Sequence, residues 1–117
     1  MKNLDQIRAK NAIQYSSESF LGKNGGDIVK KVPTMIRENG LLGALAFAKE
    51  NSGSGYEKTF LAIIKHLSDP SIKKSKSKTL DEFIMEIVSS DSVNLRDISI
   101  EAMAYLNYLR RFAQGGK

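Results

Sequence analysis

At 117 residues the chain has the length of one domain and enough material to bury a core without covalent staples. It contains no cysteine, which excludes a disulfide framework and thiolate-held metals and fits a reducing cytoplasm. Its net charge of +5 is uneven: residues 1–78 hold 14 Lys and Arg against 7 Asp and Glu, whereas residues 79–117 hold 4 against 6. A basic part followed by a mildly acidic one suits a protein that meets a polyanion on one side and protein on the other, although a solvated lysine-rich surface has the same composition. The longest apolar run, Leu41 to Ala48, is far shorter than the roughly 18 residues of a membrane span. Asp5, Gln6, Arg8, Lys10 and Asn11 interrupt any secretory hydrophobic region, so the expectation is a soluble cytoplasmic protein.

No segment sustains the alternation of a strand, and the Asn-Gly pairs at 24–25 and 39–40 adjoin helical patterns. The spacing predicts a first helix from Leu4 to Phe20, with Asn3 as N-cap and Ala9, Ala12, Ile13 and Phe20 on one stripe. After a turn at Gly22–Gly26, a second helix begins near Asp27 and repeats Ile28, Val32, Met35 and Ile36. Pro33 leaves two readings, a kink there or a start close to it. Gly40 can take the left-handed conformation that ends a helix. The third helix, Leu41 to Lys49, is apolar on almost every face, which predicts a place at the centre of the bundle. Residues 51–55 read as a linker without preferred conformation. Tyr56, Phe60, Ile63, Ile64 and Leu67 then form the cleanest stripe, ended by Asp69-Pro70. Thr79 and Glu82 make a capping box before Leu80, Phe83, Ile84, Ile87 and Val88. A last helix starts between Ser92 and Ile98 and aligns Ile98, Ala102, Tyr105, Leu106, Leu109 and Phe112. The fold expected is an all-α single-domain bundle over residues 1–117, five or six helices around a central apolar one.

Chemistry-bearing constellations are scarce. His66 is the only histidine, and Asp69 three residues on reads as a helix-ending residue, so His66 is expected to be structural and partly buried. Glu82 and Glu86 share a helical face without a third acid or a histidine, and Asp91, Asp97 and Glu101 suit a loop and a helix start. The glycine clusters lack phosphate-loop spacing. Neither a catalytic site, a metal nor a cofactor is expected. The basic residues remain. Four lysines in residues 72–78 read as a mobile solvated loop of undirected charges. A firmer nucleic-acid-binding patch is expected from Arg8, Lys10, Lys23, Lys30, Lys31 and Arg37, with Lys30 and Arg37 seven apart on one face. Tyr56, Phe60, Phe83, Tyr105 and Phe112 sit on apolar stripes and are assigned to the core, which leaves no evident stacking platform.

Three blocks carry a family resemblance. They are the opening Leu4-Asp5-Gln6-Ile7-Arg8-Ala9, the run KKVPTMIRENGLLGALAFA from Lys30 to Ala48, and the final helix from Glu101 to Ala113 with its Tyr-Leu-Asn-Tyr-Leu-Arg-Arg-Phe-Ala ending. In this order they resemble the small subunit of the type III-B CRISPR effector, the Cmr small-subunit family; residues 51–78 lie outside the resemblance. It implies a non-catalytic helical subunit that stacks head to tail with copies of itself. Such a subunit lies beside the backbone subunits and the large polymerase/nuclease subunit and lines a basic groove along the guide–target RNA. Two other classes fit the residues alone: a free-standing nucleic-acid-binding helical protein, and a helical adaptor that binds only protein.

Overall fold

The computed structural model describes residues 3–16 and 25–113. Five helices occur among them: α1 Leu4–Ser16, α2 Gly25–Glu50, α3 Gly55–Leu67, α4 Leu80–Ser89 and α5 Ser92–Ala113. No strand is present among the described residues.

The helix starts follow local chemistry. Asn3 Oδ1 accepts from the Gln6 amide at 2.8 Å while Gln6 Oε1 accepts from the Asn3 amide at 3.0 Å, a reciprocal cap for α1. Thr79 Oγ1 accepts from the Glu82 amide at 3.1 Å, as expected for α4, but the Glu82 carboxylate reaches one residue further back, to the Lys78 amide at 2.8 Å. Asp91 does the same work for α5, accepting from the Asn94 amide at 2.7 Å, so this helix begins at the early end of its expected range. Each such cap contributes about 1 kcal/mol by satisfying amides that have no carbonyl partner.

The one break inside α2 is at Gly40, with φ 78° and ψ 165°. The position is glycine-only, as expected, but its ψ lies outside the left-handed helical basin, in an extended mirror-image region closed to side chains. The break divides α2 into residues 25–39 and residues 41–50. Pro33 neither starts the helix nor breaks its dihedrals; it sits eight residues after Gly25 and, lacking an amide hydrogen, cannot bond the Val29 carbonyl.

Residues 41–50 are not the centre of the bundle. Leu41, Ala44, Leu45 and Ala48 are buried, but Leu42 is 43% and Phe47 39% exposed. The apolar helix here buries one face only and turns Leu42 and Phe47 to the other. The enclosed element is α3, which touches the other four helices and buries Phe60, Ala62, Ile63, Ile64, His66 and Leu67. These side chains join those of α2, α4 and α5 in one continuous cluster with Phe83, Ile98, Tyr105, Leu106 and Leu109.

Both connections expected to lack structure are ordered. In residues 51–54, Ser54 N–H donates to the Asn51 carbonyl at 3.0 Å and the Gly53 amide donates to Glu57 Oε1 at 2.6 Å. In the lysine-rich loop the amides of Lys74 and Ser75 both donate to the Leu67 carbonyl, at 2.9 and 3.2 Å. Ser75 and Ser77 turn inward and donate their hydroxyls to Glu86 Oε1, each at 2.6 Å. The alternation of serine and lysine thus sorts into an anchored side and a solvent side.

Candidate nucleic-acid interface

The single histidine belongs to a buried polar cluster. Asn11 Nδ2 stands 2.8 Å from His66 Nδ1 and 3.1 Å from Asp69 Oδ2. Only a nitrogen suits the carboxylate, so the amide donates to both, and the ring hydrogen lies on Nε2, 2.8 Å from Glu101 Oε2. Arg8 forks onto the same carboxylate with Nε and Nη2 at 2.8 and 2.7 Å and holds Asp5 with Nη1 at 3.0 Å. Tyr105 stacks on the imidazole, 4.3 Å between centroids. Burial pushes the Glu101 carboxyl up, but the Arg8 and His66 hydrogen bonds outweigh it and hold the group down at about 2. The arrangement resembles a catalytic dyad in its distances, yet the His66 side chain is fully enclosed and borders none of the surface clefts described below. It clamps α1 to α3 and α5.

That clamp revises three expectations. His66 is wholly rather than partly buried, and Glu101 lies well inside α5 with a buried carboxylate rather than at a helix start. Arg8, expected in the basic patch, has a side chain only 16% exposed and commits its guanidinium to Glu101 and Asp5. Among the described residues, no group of His, Cys, Asp and Glu has the geometry to hold a metal ion.

The other patch candidates separate. Lys10 is exposed on α1 and close enough to Asp69 to help hold that carboxyl down, after the Ser71 amide and the Asn11 side chain have opposed the effect of burial. Lys23 lies outside the described residues. Lys30, Lys31 and Arg37 stay together, exposed on the first half of α2, with Arg37 Nη2 donating to Thr34 Oγ1 at 3.3 Å. Lys30 and Lys31 line a cleft with Thr34, Met35 and Tyr56.

The start of α3 builds the far wall of this cleft. Ser54 caps it, accepting from the Tyr56 amide at 3.2 Å. Gly55 then lets α3 approach α2, since a Cβ there would fall 2.7 Å from Ile28 Cδ1. Tyr56, assigned from sequence to the core, is therefore only half-buried. Its ring is braced edge-on by Phe47, 5.0 Å between centroids at 89°. Two lysines and a half-buried aromatic ring lining one cleft can offer charge to phosphate and a ring to a base. The signal missed in the sequence was the position of Tyr56 in the first turn of its helix, where a stripe residue is not yet covered.

The family model for CRISPR-associated protein (Cas_Cmr5) matches residues 4–116. Neither a curated protein nor a solved structure matches the chain. The match runs through residues 51–78, which carried no visible resemblance, and it spans all five helices. The chain therefore belongs to the CRISPR-associated Cas_Cmr5 family, the small subunit of the type III-B Cmr complex.

Proposed function

We propose that this subunit is a non-catalytic scaffold that lines the path of guide-paired target RNA in the Cmr complex, with the α2–α3 cleft as its RNA-facing side. It stacks head to tail with copies of itself and contacts the backbone subunits and the large polymerase/nuclease subunit, in the cytoplasm. The observation that carries the RNA role is the convergence of Lys30 and Lys31 on Tyr56 in one cleft. Lysine acts there as a point charge without base readout, which suits a subunit that leaves sequence recognition to guide–target pairing. The non-catalytic role is supported by how the described acids are used: Glu101 binds Arg8 and His66, Glu86 holds two serines, and Glu82 and Asp91 cap helices.

Replacing Lys30, Lys31 and Arg37 with glutamate in the reconstituted complex tests this. Retention of target RNA is expected to weaken for all target sequences alike while the helical circular dichroism of the subunit stays the same. Unchanged retention would remove the cleft from the RNA path.

A further inference from the structure

A second cationic surface stands apart from the α2–α3 cleft. Lys58 and Lys65 lie seven residues apart on the exposed face of α3, and the loop after α3 adds Lys73, Lys76 and Lys78, all exposed. Lys65 and Lys78 line one groove together, and Lys73 and Lys76 line the next. Tyr56 and Lys65 are nine positions apart in α3, half a turn round the helix and about 14 Å along it. The track and the α2–α3 cleft therefore lie on opposite sides of α3.

We infer that the track Lys58–Lys65–Lys78–Lys76–Lys73 is a second docking surface for the phosphodiester backbone of a nucleic-acid strand. It goes beyond the role proposed above and does not depend on it.

Three observations favour a phosphate backbone. The lysines rise from an ordered frame: the Ser75 and Ser77 hydroxyls are pinned on Glu86, and the Lys74 and Ser75 amides on the Leu67 carbonyl. Lys73 itself has φ 55°, a conformation uncommon for a residue with a side chain. The lysines outnumber the carboxylates that line the two grooves, Glu82 and Glu86, which the Lys78 amide and the Ser75 and Ser77 hydroxyls hold in place. Lys74 is excluded because Asp97 takes its ammonium at 2.6 Å. Finally, Lys65 and Lys78 flank a groove lined by Tyr15, Leu61 and Ile64, with the Lys65 ammonium 5.5 Å from the centre of the Tyr15 ring, which sets an aromatic ring beside the charges. Point-charge lysines do not read the 2′-hydroxyl, so RNA and DNA strands are bound alike.

The test uses the full chain and fluorescence anisotropy with labelled oligouridine and oligodeoxythymidine over a salt series. The Lys65→Ala/Lys76→Ala/Lys78→Ala variant is expected to bind both more weakly and to lower the slope of log K against log salt by about 2, from about 0.7 per lost phosphate contact. A Lys30→Ala/Lys31→Ala variant is expected to keep the part of the slope that belongs to the track. An unchanged slope in the triple variant overturns the proposal. So does loss of concentration-dependent self-association in sedimentation velocity with binding intact, which would assign the track to an acidic protein surface. So does failure of the unmodified chain to bind at the lowest salt, while RNA retention by the complex still decides the role of the α2–α3 cleft.

Discussion

Glu101→Gln removes one charge from the clamp while keeping its size and an acceptor for His66. The carboxyl is held at about 2 against an ordinary 4.5, a difference that corresponds to about 3 kcal/mol of folding stability. Breaking a buried pair by removing one partner costs roughly 3–5 kcal/mol, and Arg8 keeps Asp5 and some solvent, which puts this case at the lower end. Both routes give a loss of about 3 kcal/mol at neutral pH. A carboxylate with a depressed folded value contributes its full stability above the unfolded value and loses it as pH falls. The gap between the unmodified protein and Glu101→Gln should therefore close between about 4.5 and about 2. Urea denaturation followed by circular dichroism at several pH values measures it. A loss under about 1 kcal/mol, or a gap that stays constant through acid, would refute the view that Arg8 and His66 stabilise a charged Glu101.

Two further substitutions probe the fold. Gly40→Ala places a side chain at φ 78°, ψ 165° with open space around its Cβ, so the whole cost is backbone strain, about 1–3 kcal/mol by denaturant titration; a loss below about 0.5 kcal/mol would show that the break relaxes freely. Tyr105→Phe deletes a buried hydroxyl without a hydrogen-bond partner among the described residues and keeps the stack on His66, so stability should hold or rise by about 1 kcal/mol, and a clear loss would reveal a hidden partner.

What was legible in the sequence was local. Asn3, Thr79 and the α3 stripe announce helices through residues a turn away, and Gly40 announces its break because only glycine tolerates it. The clamp was illegible because its parts are remote, with Arg8 and Glu101 separated by 93 residues. A trace of it was present: Glu101 sits in the arc of Ile98, Ala102 and Tyr105, and His66 beside Ile63 and Leu67, polar groups on apolar stripes that need one another. The same cluster explains α1, where Asn11 is buried while Ile13 is 51% and Leu4 48% exposed, the reverse of what hydrophobicity alone predicts. Of the patch, Lys30, Lys31 and Arg37 were readable from helical spacing. The inward turn of Arg8, the half-buried ring of Tyr56 and the anchoring of the lysine loop depend on tertiary partners that no spacing reports.

The most direct measurement is photo-crosslinking of a thiouridine-substituted target RNA in the assembled Cmr complex, with the crosslinked peptides of this subunit identified by mass spectrometry. Crosslinks are expected on the segment from Lys30 to Arg37 and on the peptide containing Tyr56. Crosslinks confined to other surfaces of the subunit, or none at all, would rule out the α2–α3 cleft as the RNA-facing side.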